Sequence, residues 1–578
     1  MVTMKRTWKN NKARKSLSQL LMTLVAILLL GYLSSFVYFR LDLTADKRYT
    51  LSEPTRILLK KIDKQIFVRV YLEGDMPIGL KRMRRSIKEM LDEMRVVAGP
   101  RLAYDFVNPS EEEDARLRQE FHNSLMEKGL KPVDVVESKQ EGGTDTRRVF
   151  PGVIIHYGSK NTAVNLLSNN PSLSSEENLN QSLQSLEYEL VHAISSLSAD
   201  TVKKIAFVEG HGELGYLDVL DITDEMARYY EVYRGFIDTQ SPNLDEYSVL
   251  IIARPTGKFT EEEKFILDQY IMNGGKVLWL IDAVTVNRDS LSTGETTLAL
   301  VNETNLEDML FTYGARVNPV LFKDLQCALI PVNTAPAGEQ PRFVPAPWPY
   351  YPLLAPRKDH PITRNLNFIK AEYPGTVDTV GTSQAVRKTV LLVSSPYTRL
   401  VRVPSFISLR QIDEKPVQEE YNQSFQPVSL LLEGEFQSVF SHRMTGKYAL
   451  SPGKTFRKQS LPTAMLVVAD GDLIRNEVRG RGSDPQPLPL GYDRYMQQTF
   501  GNKDFLMNAV NYLTDDADLM PLRVRERRLL LLDRARIMES GDFWKTGNLA
   551  APVLLVVLFG VMVNIIRKRK YGRPGNFR

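Results

Sequence analysis

The stretch YSVLIIA at Tyr247–Ala253 is an almost unbroken apolar run, and it decides the reading of the chain. A run this short and this apolar fits a strand of a parallel sheet covered on both faces. Working outward, 204–208 reads as a short buried strand, 217–230 as a helix and 231–237 as another strand. Downstream, Thr260 and Glu263 form a capping box. The helix they open turns Ile266, Leu267, Tyr270 and Ile271 inward and ends at Gly274-Gly275, before the strand KVLWLI at 276–281. This alternation predicts a doubly wound parallel sheet. Residues 390–394 and 463–470 read as further buried strands, the second rejoining the sheet begun near 204, and 502–513 as a helix.

A second α/β pattern precedes this one. QIFVRVYL at 65–72 alternates like a strand, and Leu80, Met83, Ile87, Met90, Leu91 and Met94 recur at helical spacing until Gly99-Pro100. A strand at 102–107, a helix at 111–128 and a strand pair at 147–156 and 162–167 follow. A Ser/Asn-rich stretch at 168–182 leads to a helix with Leu183, Leu186, Leu190, Ile194 and Leu197 on one stripe. The order is that of a thioredoxin-like unit, but there is no Cys-x-x-Cys to imply redox activity. Regularity weakens at 331–361, where Pro336, Pro341, Pro345, Pro347, Pro349, Pro352 and Pro356 interleave with Trp348, Tyr350 and Tyr351. Such spacing argues against sheet or helix interior. It predicts an ordered surface loop or a partner-binding strip carried by the three aromatic residues. Residues 475–494 read as a mobile loop.

Both ends point to a membrane. LLMTLVAILLLGYLSSFVYF at 20–39 is free of charge and long enough to span a bilayer. Its apolar run outlasts the core of a cleavable signal peptide, the rival reading. LAAPVLLVVLFGVMVNII at 549–566 is also uncharged and is followed by Arg567, Lys568, Arg569 and Lys570. Basic clusters flank the outer sides of both stretches, so both termini are expected in the cytoplasm and the body outside it, in the periplasm of a bacterium. These ends carry much of the net charge of +5, leaving no basic face for nucleic acid. The single cysteine, Cys327, excludes an intramolecular disulfide and any Cys-rich metal site. Its surroundings hold no nucleophile elbow.

The most distinctive polar string is Glu209-Gly210-His211-Gly212-Glu213-Leu214-Gly215, at the end of a strand and before a helix, where open α/β sheets bind ligands. It contains Gly-x-Gly-x-x-Gly, and Asp238 follows at the distance expected of a dinucleotide site. Glu209 and Glu213, however, would set negative charge beside a pyrophosphate. A metal or acid/base site is a second reading, although the spacing matches no standard zinc motif. The third is a tight turn, its glycines supplying positive φ and His211 bonded to a neighbouring loop, or a polar interaction surface. Gly453-Lys454-Thr455 resembles the end of a P-loop, but Tyr448 stands where a glycine is required. His192 lies opposite the leucine stripe of its helix and is expected to be solvated.

The chain resembles the gliding-motility-associated ABC transporter auxiliary subunits, the GldG family. The likeness rests on the basic anchor followed by Arg40-Leu41-Asp42-Leu43-Thr44 and Arg48-Tyr49-Thr50-Leu51-Ser52. It also rests on Glu209-Gly210-His211-Gly212-Glu213, the Asn273-Gly274-Gly275-Lys276 turn and the basic C-terminal tail. The resemblance implies a separate ATPase and a multi-span permease as partners in the inner membrane of Bacteroidetes-type bacteria, and a link to gliding and protein secretion. It also implies a glutamine-amidotransferase-like fold for the second unit, without that class's Cys–His pair, so no catalytic residue carries over. The expected organisation is a basic tail (1–19), a first span (20–39), a thioredoxin-like domain (40–200), an amidotransferase-like domain (201–515) with a Pro-rich insertion (331–361), a linker (516–548), a second span (549–566) and a basic tail (567–578). The expected protein is a non-catalytic, periplasmic, substrate-binding-like subunit without metal or cofactor and of open oligomeric state. The alternative is an extracytoplasmic hydrolase or transferase using the Gly-His-Gly-Glu turn.

Overall fold

The computed structural model describes residues 20–26, 29, 50–138, 144–168, 173–199, 201–288, 290–291, 296–335, 339–340, 342–381, 385–443, 446, 448, 450, 453–480, 485–515, 519–520, 522 and 534–571. The first α/β unit begins with helix α1 (Glu53–Lys61), capped by Ser52, and strand β1 (Ile66–Val70). Helix α2 (Ile78–Ala98) buries Leu80, Met83, Ile87, Met90, Leu91 and Met94, the stripe read from the sequence, and stops at Gly99 with φ 66°. Strand β2 (Leu102–Phe106), helix α3 (Ala115–Glu127) and a hairpin of β3 (Val133–Ser138) and β4 (Thr144–Val149) follow. Strands β5 (Gly152–Tyr157) and β6 (Lys160–Asn165) complete a sheet of order β2-β1-β5-β6. Strand β1 is parallel to β2 and antiparallel to β5. Helix α4 (Ser175–Ser198) opens with a capping box of Ser174 and Glu177 and packs on β5 and β6.

The second unit is built on strands β7 (Lys204–Glu209), β8 (Glu231–Phe236), β9 (Tyr247–Ala253) and β10 (Lys276–Leu280). Helix α5 (Leu220–Met226) lies between β7 and β8, and α6 (Glu261–Met272) between β9 and β10. The long segment after β10 contributes helix α7 (Glu307–Tyr313) and strands β11 (Cys327–Asn333), β12 (Phe343–Pro356), β13 (Val386–Val393) and β14 (Pro427–Gly434). The chain returns as β15 (Thr463–Val468), parallel to β10 and antiparallel to β14, before helix α8 (Asn502–Thr514). Across the sheet the order is β11-β12-β13-β14-β15-β10-β9-β7-β8, with the short strand Ile369–Lys370 beside β12. The strands β8, β7, β9, β10 and β15 run parallel, and the order reverses between β7 and β9. Right-handed crossovers on either side of that reversal put α5 and α6 on opposite faces. Helix α8 joins α5 over β9, β10 and β15. Double cover explains the apolar run that marked β9, whose last five residues are all buried.

The proline-rich segment departs from expectation. It forms the long strand β12, not a loop, and its register with β11 shows how prolines fit a sheet. Pro345 lies opposite Pro331 while Ala346 and Val344 face Ile330 and Val332. In an antiparallel ladder alternate pairs exchange no N–H bonds, so prolines at every second position forfeit nothing toward the partner and strip donors from the outer edge. Trp348 and Tyr350 are buried in a satellite core with Leu321, Tyr373 and Ile407, and Tyr351 is half-buried, so the aromatic strip packs inward. Among the described residues of 475–494, expected to be a mobile loop, the strands are two residues long, such as Val478–Arg479 and Gln486–Pro487.

The described residues of the C-terminal unit form one helix, α9 (Arg534–Tyr571), with a break in helical geometry at Ser540. Within it Ser540–Arg569 contains an 18-residue window of mean hydropathy 2.7 and is long and apolar enough to cross a membrane. The expected first span at 20–39 is helical at 20–26 and 29 and otherwise lies outside the described residues, as do the tails 1–19 and 572–578.

Trp279 sits in the middle of β10 with no exposed surface. Trp279→Ala is expected to cost about 3–5 kcal/mol, read as a lower midpoint of chemical unfolding.

Candidate functional site

The Gly-His-Gly-Glu turn stands at the carboxyl end of β7, at the reversal of strand order, where sheets of this kind hold ligands. Gly210 and Gly212 adopt φ of 121° and 72°, and a Cβ on Gly212 would overlap the Thr256 hydroxyl. The turn is bolted to the loop after β9: the His211 carbonyl accepts from the Thr256 and Gly257 N–H groups at 2.8 and 2.6 Å. The His211 ring lies flat on Phe259, centroids 3.6 Å apart. Its Nδ1 is 3.0 Å from Glu213 Oε1 and its Nε2 3.2 Å from Glu263 Oε1. Glu263 is also the capping-box residue of α6, accepting from the Thr260 N–H at 2.8 Å. Burial pulls the imidazole toward neutrality, but the two carboxylates outweigh it and hold its pKa above the usual value. An imidazolium donating from both nitrogens satisfies both acceptors.

The remaining polar groups of the turn are engaged in the same way. Glu209 accepts from Arg234 Nε at 2.7 Å, and Asp238 accepts from the N–H groups of Gln240 and Ser241 in its own turn. Glu209, Gly210, His211, Gly212 and Glu213 are therefore brought together as a closed clamp joining β7, β9 and α6. Among the described residues no cluster of His, Cys, Asp and Glu is arranged to hold a metal ion. Cys327 is half-buried, and burial pushes its thiol up to about 12, far from nucleophilic. His192 is half-buried: it stacks on Tyr188 and meets Tyr229, with centroids 5.4 Å apart in each case.

A second cluster of charged residues stands at the same sheet edge. Arg254 follows β9, Asp282 follows β10, and Asp470 and Asp472 follow β15; the long segment adds Arg288 and Glu372, and Arg475 closes the group. Arg254 Nε donates to Asp282 at 3.2 Å and lies 3.4 Å from Asp472. Asp470 accepts from the N–H groups of Glu372 and Asp472, both at 2.9 Å. Arg288 pairs with Glu372 and Asp472, its guanidinium flanked by the rings of Tyr351 and Tyr373. Gly471 is required here because a Cβ would come within 2.9 Å of the Arg254 Cα. Burial, reinforced by neighbouring carboxylates, raises the pKa of Asp470 well above normal. Burial also raises Asp282, and it lifts Asp472 to about 7 against the pull of Arg288. The cluster shares its protons as a unit. The sequence did carry a signal: Arg254, Asp282 and Asp470 each close an apolar strand at its carboxyl end. Arg288, Glu372 and Arg475 carried none.

The molecule is thus a mixed α/β body with an apolar helix at its C-terminal end, and no open reactive centre occurs among the described residues of the sheet edge. Residues 202–509 match the family described as "ABC-type uncharacterized transport system", which is more than half the chain, so the protein belongs to that family. Residues 45–156 match a domain of unknown function, DUF7088. The family associates the chain with ABC transporter components, and its apolar helix with a membrane. No curated protein matches the sequence. Among solved structures, the mmIFT52 N-terminal domain is similar at 12% identity and a TM-score of 0.30, covering 54% of this chain and 99% of that one. The exo-beta-1,4-mannosidase Op5Man5 from Opitutaceae bacterium strain TAV5 is similar at 11% identity and a TM-score of 0.20, covering 68% of this chain and 45% of that one.

His211→Ala leaves Glu213, 3% exposed, without its cation, and is expected to destabilise the fold by about 2–3 kcal/mol in denaturant titration. The aspartate cluster predicts a pH dependence. Its folded-state pKa values lie above those of the unfolded chain, so its contribution is complete at low pH and is lost as pH rises through about 7. The melting temperature of the full chain should fall between about pH 5 and about pH 8, and Asp470→Asn should flatten that fall.

Proposed function

We propose that this protein is a non-catalytic auxiliary subunit of an ABC transport complex, held to the bacterial inner membrane by a helix at each end, with its body in the periplasm and both termini in the cytoplasm. The observation that carries the reading is where the body's two ends are tied down. On the entry side, the Ser52 N–H donates to Glu187 Oε1 at 2.7 Å. On the exit side, Met520 Sδ accepts from the hydroxyl of Tyr188 at 3.1 Å. Glu187 and Tyr188 are successive residues of α4, and Leu51, Leu519, Met520 and Leu522 share one hydrophobic core. Entry and exit side by side suit a body hung from two helices in one membrane. The order β2-β1-β5-β6 supports a thioredoxin-like first domain, and the parallel strands with antiparallel extension support a doubly wound, amidotransferase-like second one.

The closed geometry of the Gly-His-Gly-Glu turn favours a structural clamp over a hydrolase or transferase centre. The partners are an ABC-type permease and its ATPase. The link to gliding motility and protein secretion follows from the resemblance of the anchor-proximal and turn motifs to the GldG family. The test is purification from detergent with a tag on the protein. Permease and ATPase subunits are expected to copurify, and tags at either terminus should resist a periplasmic protease. Recovery of the protein alone, or cleavage of either tag from the periplasmic side, overturns the reading.

A further inference from the structure

A cavity of about 210 Å³ opens where the first α/β unit meets the second. One wall is the last two turns of α4, another is the pair Tyr229-Tyr230 after α5, and the far side is formed by the end of α8 and the strap Leu519–Met520. Junctions of this sort are where small-molecule sites concentrate. The size is instructive, because an apolar cavity of about 150 Å³ accommodates benzene.

The lining is more specific than its volume. Tyr188, His192 and Tyr229 form a run of rings lining the cavity, centroids 5.4 Å apart at each step, the first pair stacked and the second tilted by 55°. A flat ring extends such a run by offset or edge-to-face contact. The polar groups at the back are committed to one another: Tyr230 Oη bonds Asn511 and Thr514 at 2.8 Å each, and Asp515 accepts from the Met520 N–H at 2.7 Å. The hydroxyls of Ser195 and Ser196 differ. Both line the cavity, are half-buried, and have no side-chain hydrogen bond among the described residues, which leaves them open to an occupant. The charges nearby, Lys203 and Asp515, offset one another, and Lys203 is bonded to the Thr514 carbonyl at the end of α8. Nothing here selects for a net charge on the occupant.

We propose that this cavity is a binding site for a small uncharged aromatic molecule, a single or fused ring with a hydrogen-bonding substituent, packed against the rings of His192 and Tyr229 and bonded to the Ser195 and Ser196 hydroxyls. The site goes beyond the anchoring role and does not depend on it.

The test uses the full chain in detergent with indole and p-cresol as probes and benzoate as the charged control. A ligand selective for the folded state raises the melting temperature in proportion to the logarithm of its excess over Kd. Indole or p-cresol is expected to raise it dose-dependently, and benzoate is expected to do less. Ser196→Phe, which fills the cavity from its half-exposed wall, should abolish the shift while leaving the unliganded melting temperature within a degree or two. Ala199→Leu, a smaller intrusion on the same wall, should weaken the response at least tenfold should the phenylalanine variant prove unstable. No shift with either neutral probe at millimolar concentration, a shift unchanged in both variants, or a stronger response to benzoate overturns the proposal.

Discussion

The second unit depends on one strand pairing. Thr463–Val468 slots between Lys276–Leu280 and Pro427–Gly434, parallel to the first and antiparallel to the second. It joins a parallel α/β sheet to an antiparallel extension across a long excursion of chain. Loop-closure entropy grows only logarithmically with length, so such an excursion is tolerable if the returning strand is apolar enough to repay it. Met465, Leu466, Val467 and Val468 have no exposed surface, and they do repay it.

That pairing also builds the sheet's carboxyl edge. With β15 beside β10, Asp470 and Asp472 come next to Asp282 and Arg254, and the excursion returns Arg288 and Glu372 over them. These aspartates are buried or nearly so, and burial, reinforced by neighbouring negative charges, is why protons are retained there. The neighbouring turn solves its own version of the problem differently, placing one imidazole between two carboxylates. Both arrangements fill the crevice where related sheets bind ligands. They lock strand ends together, whereas a cavity opens at the junction of the two α/β units, beside α4.

Helix α4 belongs to the first unit's sheet, yet it touches nearly everything of consequence. Glu187 holds the entry segment, Tyr188 meets the exit segment, and Gln181 reaches the Asn365 carbonyl in the second unit. The sequence marked its leucine stripe but not these polar contacts, since Glu187, Tyr188 and His192 gave no pattern of their own. A helical residue advertises burial through periodicity; its partners come from distant parts of the chain and leave no local trace.

The sequence by itself determined the elements whose causes are local. Apolar runs set β9, β10 and β15; the Thr260–Glu263 box started α6; Gly99 stopped α2; and an uncharged C-terminal stretch marked a helix able to span a bilayer. The glycines of the Gly-His-Gly-Glu turn were legible too, because positive φ is a property of single residues. Tertiary structure alone decided the rest. It turned the prolines of 343–356 into a strand, because only the register with β11 shows that their missing N–H groups face outward. It buried Trp348 and Tyr350, gathered the aspartates and arginines at the sheet edge, and closed the clamp around His211. Those outcomes depend on which distant residues become neighbours, and that is settled by packing and pairing energies summed over the whole chain.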